Sequence, residues 1–207
     1  MIKNIVFDMG QVLVSYVGNL VCQIYIEDEQ ERKDVSTSVF VSPEWILLDM
    51  GVMSEETALR KMQERLDTER KREQAEWCVR HWHEYNMKPK EGMEEVVQWL
   101  KSMGYGIYLC SNASVRLLNC YKEVIPAIDC FDGVLFSAEV QCLKPQKEMY
   151  QHLFERFHLK PEECFFIDDV MLNIEGARAC GMDGYCFADG DEAALRAALK
   201  RLNRNAD

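Results

Sequence analysis

Residues 4–14 read NIVFDMGQVLV, an apolar run that passes directly into a carboxylate and then a glycine. Ile5, Val6 and Phe7 form an uninterrupted apolar stretch, which is typical of a strand buried on both faces of a parallel sheet. Asp8 follows at once, and a carboxylate at the end of a buried strand is well placed for chemistry. This stretch therefore predicts the first strand of an α/β fold together with a reactive side chain.

Four further strand-like runs follow along the chain, with helical patterns between them. The five predicted strands are Lys3–Phe7, Gly106–Cys110, Gly133–Phe136, Cys164–Ile167 and Gly184–Phe187. Helical patterns cover Met93–Met103, Gln146–Phe157 and Asn173–Cys180. Such alternation implies right-handed crossovers, so we predict the α/β class with a doubly wound parallel sheet.

Residues 16–87 break this alternation, because only helical patterns are found there. We therefore predict a Rossmann-like α/β core, built from residues 1–15 and 88–207, with an inserted all-helical cap at residues 16–87. The cap would cover the carboxyl edge of the sheet, and the stretches 16–18 and 86–90 would act as its hinges.

The overall charge excludes one broad class of partner. The chain has 207 residues, a formal net charge of −11 and a pI of about 4.9, whereas a broad nucleic-acid surface needs clustered Lys and Arg. No apolar run approaches the roughly 18 residues that a membrane span needs. A small anionic substrate is compatible with the charge, because a local cation can override the overall sign. We expect no nucleic acid and no membrane as partners, and a monomer or homodimer.

The cysteines indicate a compartment rather than a site. There are nine of them and no C-x-x-C pair, and Cys110, Cys164 and Cys186 lie in apolar strand-like runs, where Cys acts as a small hydrophobe. The odd number and the absence of a signal peptide favour a reducing environment. We therefore expect a cytoplasmic protein.

Polar side chains stand at or beyond the ends of four predicted strands. Ligands of open α/β sheets bind outside the carboxyl ends of the strands, so we expect these side chains to converge. Singly, each has an ordinary explanation, such as a turn or helix cap for the carboxylates, but their joint placement favours a site. The set comprises Asp8, Ser111, Asn112, Lys144, Asp168 and Asp169.

This set is coherent for phosphoryl transfer. Asp8 can attack phosphorus and form an aspartyl-phosphate. Together with Asp169 it offers the carboxylate oxygens that Mg²⁺ prefers. The Ser111 hydroxyl and neighbouring backbone N–H groups can bind phosphate oxygens, and Lys144 supplies a compact positive charge.

The four segments resemble the haloacid dehalogenase (HAD) superfamily. Its motifs are a strand followed by D-x-D-x-[TV], a strand ending in Ser or Thr, a Lys, and a strand ending in acidic residues. They read here DMGQV at 8–12, SN at 111–112, KP at 144–145 and DDVMLNIEGA at 168–177. The helical insertion looks like the C1-type cap of that superfamily. In motif, the chain is most similar to the bacterial branch that contains glucose-1-phosphate phosphatase.

The resemblance implies roles for the residues that match. Asp8 would be the nucleophile and a Mg²⁺ ligand, and the backbone carbonyl of Gly10 a second ligand. Asp169 would bind the metal directly, and Asp168 through water or as a supporting hydrogen-bond partner. Lys144 would act in catalysis and, with Ser111 and Asn112, bind phosphate. The expected activity is Mg²⁺-dependent hydrolysis of a small phosphate monoester. The expected partner is therefore a small phosphorylated metabolite, with a sugar phosphate as the expected substrate.

Gly10 is a departure from the pattern of the superfamily. Most of its phosphatases carry a second Asp there, which protonates the leaving alcohol and then activates water, and such help is worth about 10²–10⁴-fold. Another group, such as a cap residue or water, could replace it, or the substrate could have a good leaving group. The alternatives are a 2-haloacid dehalogenase-type hydrolase, which also lacks that Asp, and a non-catalytic protein that binds phosphorylated ligands.

Overall fold

A computed structural model describes residues 1–204, with side chains described for residues 1–202. The strands in chain order are β1 (Asn4–Phe7), β2 (Val14–Tyr16), β3 (Met87–Pro89), β4 (Gly106–Ser111), β5 (Gly133–Phe136), β6 (Cys164–Asp168) and β7 (Asp183–Cys186). The helices are α1 (Leu20–Tyr25), α2 (Glu29–Phe40), α3 (Pro43–Asp49), α4 (Glu55–Gln63), α5 (Glu69–Tyr85), α6 (Met93–Ser102), α7 (Leu117–Val124), α8 (Ser137–Val140), α9 (Lys147–Phe157), α10 (Met171–Ala179) and α11 (Glu192–Arg204).

Five parallel strands form the main sheet, in the order β5-β4-β1-β6-β7. β1 lies at the centre, where Phe7 pairs with Leu109 of β4 and with Ile167 of β6. The chain moves outward from β1 to β5 and then returns to β6 on the other side of β1. This reversal of strand order confirms the predicted doubly wound α/β fold, and it creates the crevice at which such sheets bind ligands.

The two faces of β1 are buried in different apolar clusters. Ile5 and Phe7 belong to one cluster and Val6 to the other, and all three are fully buried. Successive strand side chains point to opposite faces, so the uninterrupted apolar run follows directly from helices covering both sides of the sheet. Each such side chain contributes about 1.5–3 kcal/mol to folding.

The ends of the insertion differ from the predicted hinges. β2 and β3 pair as an antiparallel ribbon, with Val14 opposite Pro89 and Tyr16 opposite Met87. Three-residue strands are too short for alternating hydrophobicity to reveal them, which explains why the sequence predicts only linkers there. The helices α1 to α5 lie between the two strands, and the exact limits of the insertion as a separate unit stay a prediction.

The insertion shares one apolar cluster with one face of the sheet. A single apolar cluster contains Phe7 and Leu109 of the sheet together with Val39, Met62 and Trp82 of the inserted helices. Because this cluster is continuous, the helices are held over the sheet by apolar contact as well as by the ribbon. None of the helices within residues 1–204 is long and apolar enough to cross a membrane.

Candidate active site

Three strands deliver polar side chains to one edge of the sheet. Asp8 follows β1, Ser111 ends β4 and Asp168 ends β6, and all three are buried. The backbone N–H of Asp8 donates to the carbonyl of Ile167 at 2.8 Å, which extends the β1–β6 ladder to the site itself. The predicted convergence at the carboxyl edge is therefore present.

Lys144 links two of these strand ends. Its Nζ atom lies 2.7 Å from Asp8 Oδ1 and 2.7 Å from Asp168 Oδ2, and its side chain is 1% exposed. Only the contact with Asp168 has hydrogen-bond geometry, and Asp8 Oδ1 has no hydrogen-bond donor among the described residues. Burial alone would lower the pKa of Lys144, but the charges of Asp8 and Asp168 outweigh it and raise that pKa. Lys144 therefore stays a cation.

Asp168 is held from several sides. Its Oδ1 accepts hydrogen bonds from the backbone N–H of Val170 at 2.8 Å and from Asn173 Nδ2 at 3.0 Å, while Oδ2 faces Lys144. Tyr150 donates in turn to the Asn173 carbonyl at 2.7 Å. These bonds fix the carboxylate, so Asp168 and Asn173 position Lys144 and through it Asp8.

The Asn112 side chain forms two hydrogen bonds with the backbone of Lys144. Its Oδ1 accepts from the backbone N–H of Lys144 at 2.8 Å, and its Nδ2 donates to the Lys144 carbonyl at 3.1 Å. This pair of bonds holds the loop before α9 against the end of β4. The Asn112 amide therefore has a positioning role, and its predicted contact with phosphate stays a prediction.

Three carboxylates at this edge have the arrangement of a cation site. Oxygen atoms of Asp8, Asp168 and Asp169 lie within 4.8 Å of one another, and Lys144 is the only cation paired with them in the described part of the chain. Burial raises the pKa of Asp8 and of Asp169, and the charge of Asp168 adds to both shifts. A hard divalent cation would offset this excess of negative charge, and carboxylate oxygens are its usual ligands.

A cavity of about 240 Å³ opens above the carboxylates. This volume is below the roughly 300–1,000 Å³ of pockets for drug-sized ligands, so the site suits a small substrate. Gly10 lies on its wall, and a Cβ atom built there would meet nothing within 4 Å. The lining residues are Asp8, Met9, Gly10, Tyr16, Trp45, Asp49, Trp82, Met87, Ser111, Asn112, Ala113, Ser114, Leu117, Lys144, Val170 and Asn173.

Two hydroxyls line the cavity together with Asp8. The Ser111 hydroxyl acts to lower the pKa of Asp8, against the larger effect of burial. Ser114 also lines the cavity, and its buried Oγ has no hydrogen-bond partner in the described structure. A buried hydroxyl without a partner costs free energy, which a bound phosphate oxygen could remove. Ser114 is absent from the site predicted from the sequence, although it follows the end of β4 by three residues.

The inserted helices supply an aromatic wall on the opposite side of the cavity. Trp45 and Trp82 meet edge to face, with ring centroids 5.3 Å apart, and Tyr16 meets Trp82 in the same way at 6.2 Å. Burial, with a smaller contribution from Asp49, raises the pKa of Tyr16. Asp49 is the carboxylic acid of this wall, and burial raises its pKa to about 7.

Residues 2–181 match a protein-family model described as a haloacid dehalogenase-like hydrolase. A sesquiterpene phosphatase of Aspergillus oryzae is 24% identical over 192 residues, which cover 90% of this chain and 90% of that protein. A D-ribitol-5-phosphate phosphatase of Bacteroides thetaiotaomicron is 25% identical over 196 residues, or 89% of this chain and 91% of that protein.

Solved structures share the same fold. A predicted HAD-like hydrolase of Porphyromonas gingivalis superimposes with a TM-score of 0.74 at 22% identity, covering 99% of this chain and 98% of the other. A HAD-family enzyme of Bacteroides thetaiotaomicron, solved as a variant with magnesium and inorganic phosphate, gives 0.69 at 20% identity, covering 90% and 94%. At these identities the likeness concerns the fold alone.

Proposed function

The chain belongs to the haloacid dehalogenase-like hydrolases, and from this premise we propose that it is a Mg²⁺-dependent phosphatase acting on a small phosphate monoester. One observation carries the proposal. Asp8 lies at the floor of a small cavity, paired with Lys144 at 2.7 Å and clustered with Asp168 and Asp169. A fixed carboxylate nucleophile beside a cation and a metal-binding cluster suits attack on a phosphorus that carries negative charge.

The residues that would hold Mg²⁺ are Asp8, Asp169 and the backbone carbonyl of Gly10. We give Asp168 a supporting role, because Lys144, Asn173 and a backbone N–H already occupy its oxygens. When bound, the ion would neutralise charge on the phosphoryl oxygens and on the attacking carboxylate.

The protein's own residues would divide the remaining work. Asp8 attacks phosphorus, the bond to the leaving oxygen breaks, and an aspartyl-phosphate forms on its carboxylate. Ser111 and Ser114 donate hydrogen bonds to phosphoryl oxygens, and Lys144 balances the charge that gathers around Asp8. Water then cleaves the aspartyl-phosphate and releases inorganic phosphate.

A dehalogenase is the weaker candidate for this site. Displacement of halide by a carboxylate needs no divalent cation, so it has little use for Asp169 clustered with Asp8 and Asp168. The two similar enzymes described above are also phosphatases by name. Both considerations support phosphate ester hydrolysis over carbon–halogen cleavage.

The side chains of the cavity walls indicate which class of alcohol the ester contains. Trp45, Trp82, Met87, Leu117 and Val170 surround the space above the carboxylates, and such side chains offer few hydrogen bonds to the hydroxyls of a sugar. We therefore propose an ester of an aromatic or aliphatic alcohol, where the sequence predicts a sugar phosphate. The two similar enzymes do not decide between them, since one is named for a sesquiterpene and the other for a sugar alcohol.

Phosphate release from a panel of esters tests the proposal. The panel contains benzyl phosphate, 4-nitrophenyl phosphate and glucose 1-phosphate, each assayed with Mg²⁺ and with EDTA. We expect Mg²⁺-dependent turnover, faster on benzyl phosphate than on glucose 1-phosphate, and loss of at least about 10³-fold in Asp8→Asn. Turnover that survives EDTA, or full activity of Asp8→Asn, would contradict the mechanism. Saturable binding of phosphate without turnover of any ester would favour the non-catalytic alternative.

A further inference from the structure

The proposed reaction needs a proton donor on the side of the leaving group. An alcohol leaves phosphorus as an alkoxide unless a proton reaches its oxygen as the bond breaks. The position two residues after the nucleophile cannot provide one, because Gly10 has no side chain. If the chain has the proposed phosphatase activity, on which this inference rests, another of its groups must supply the proton.

Four titratable side chains line the cavity within residues 1–202. Asp8 is the nucleophile and cannot serve the leaving group at the same time. Lys144 is bound by two carboxylates that raise its pKa, so it does not release its proton. Burial raises the pKa of Tyr16, so this phenol cannot pass through both protonation states near neutral pH. Asp49 is the remaining group.

Contacts with the sheet domain fix the position of Asp49 at the end of α3. The Ser137 hydroxyl donates to the Asp49 backbone carbonyl at 2.5 Å, and the same hydroxyl accepts from the backbone N–H of Ala113 at 2.9 Å. These bonds join the end of α3 to the loop after β4, which follows Ser111 and carries Ser114.

A second contact with the sheet domain lies two residues after Asp49, at Gly51. Gly51 has a φ of +67°, and a Cβ atom there would lie 2.1 Å from the carbonyl oxygen of Ala138. The backbone of the insertion therefore lies directly on α8. Between these anchors, the Asp49 side chain lines the cavity and has no hydrogen bond or ion pair among the described residues.

We propose that Asp49 is the proton-transfer residue of this enzyme, supplied by the inserted helices. In the first step Asp8 bonds to phosphorus, the bond to the leaving oxygen breaks, and that oxygen takes the Asp49 proton and departs as an alcohol. In the second step water bonds to phosphorus and gives one proton to the Asp49 carboxylate, the bond to Asp8 breaks, and inorganic phosphate leaves. Both side chains return to their starting forms.

The acidity of Asp49 suits a group that donates a proton in one step and accepts one in the next. Burial raises its pKa to about 7, so the acid and the carboxylate are both accessible near neutral pH. A group of this kind is an effective acid in one step and an effective base in the next.

The dependence on the leaving group tests the proposal in the purified full chain with Mg²⁺. The nitrophenolate of 4-nitrophenyl phosphate leaves without a proton, whereas the alcohol of benzyl phosphate needs one. We expect Asp49→Asn to lower kcat on benzyl phosphate by about 10²–10⁴-fold, and to lower formation of nitrophenol by less than about 10-fold when the release of nitrophenol is followed in the first turnover. The matched control is Glu56→Gln, an exposed carboxylate on the neighbouring helix α4, which should change neither rate.

Three other results would overturn the assignment. Equal losses on both esters would make Asp49 a positioning residue, and unchanged rates on both would remove it from the reaction. If the wild-type protein hydrolyses neither ester, the proposed function fails and this inference fails with it. The first two results leave the phosphatase activity standing.

A second variant distinguishes loss of a proton donor in Asp49→Asn from a folding defect, because a misfolded protein could not be rescued by a new acid. Because a Cβ at Gly10 meets open space within the cavity, Gly10→Asp can place a carboxylic acid near the leaving group. We expect Gly10→Asp to restore at least about 10-fold of the benzyl phosphate rate in the Asp49→Asn background, within the range of general acid catalysis. In the wild-type background the same change should have a smaller effect, and equal gains in both would contradict a shared proton-transfer role.

Discussion

The two sides of the cavity are built on opposite physical principles. The sheet side carries the buried charges of Asp8, Lys144 and Asp168, fixed by contacts of 2.7 Å. The side of the inserted helices presents the apolar rings of Trp45 and Trp82, and among the side chains described, those of residues 1–202, Asp49 is its one carboxylic acid. The sheet side suits the charged phosphoryl group, and the helical side suits an uncharged leaving group. In the proposed function, the sheet side therefore handles the phosphoryl group and the helical side handles the leaving group.

Of the four predicted changes, substitution of Lys144 on the sheet side should have the largest effect on stability and on turnover. In Lys144→Met, Asp8 and Asp168 lose the cation between them, and an unpaired buried charge costs about 3–5 kcal/mol. Urea unfolding in EDTA should show that loss of unfolding free energy, together with loss of turnover in Mg²⁺. The control is Lys101→Met, whose pair with Asp132 is much more exposed than that of Lys144, at 37% and 40% of the two side chains, and should be worth about 1 kcal/mol or less. Equal losses of unfolding free energy in the two variants would show that burial of the Lys144 pairs adds nothing to their contribution.

Truncation of the aromatic wall should separate substrate preference from phosphate binding. In Trp45→Ala we expect the KM for benzyl phosphate to rise about 10- to 100-fold, corresponding to the loss of about 1.5–3 kcal/mol of apolar contact. Inhibition by inorganic phosphate should stay unchanged, because the residues proposed to bind phosphate lie on the sheet side. Trp77→Ala is the control, since Trp77 stacks on Tyr25 away from the cavity. Parallel weakening of phosphate inhibition would contradict the division between the two sides.

The acid of the helical side should make the fold less stable at high pH. The pKa of Asp49 is about 7 in the folded state and 3.8 as its ordinary value, so the folded state holds a proton that the unfolded chain has lost. Stability therefore falls as pH rises from about 4 to about 7. Asp49→Asn removes this dependence on pH. The free energy of unfolding of the variant should therefore exceed that of the wild type by about 1–2 kcal/mol at pH 8, and by less at pH 5. A difference that stays constant with pH would show that Asp49 titrates normally.

The contact between the two sides should give the smallest effect. Arg116 at the start of α7 forms a bidentate pair with Glu55 of α4, at 2.7 and 2.6 Å. Both side chains are partly exposed, so Arg116→Ala should cost about 1 kcal/mol or less. A double-mutant cycle with Glu55→Gln measures the coupling energy between them. A coupling above about 2 kcal/mol would mean that this pair, rather than the apolar cluster, holds the helices over the sheet.

Much of the sheet side could be predicted from the sequence. The five main strands, their parallel arrangement and the convergence of Asp8, Ser111, Lys144 and Asp168 all agree with the expectations, because buried strands leave a strong local pattern. The ribbon of β2 and β3 could not be predicted, since three residues carry too little pattern. Metal binding and the individual catalytic roles stay predictions, as do the substrate, the oligomeric state and the cytoplasmic location.

By itself, the sequence determined the α/β class, the place of Asp8 at the end of a buried strand and the missing side chain at Gly10. Those features depend on short apolar runs and on the residue that follows each run. Only the tertiary structure brought Asp49 to the cavity, where its backbone carbonyl meets Ser137, 88 positions away in the chain. Burial by neighbours distant in sequence then changes the acidity of its carboxyl group. No local pattern records either fact, because both arise from packing between the insertion and the sheet.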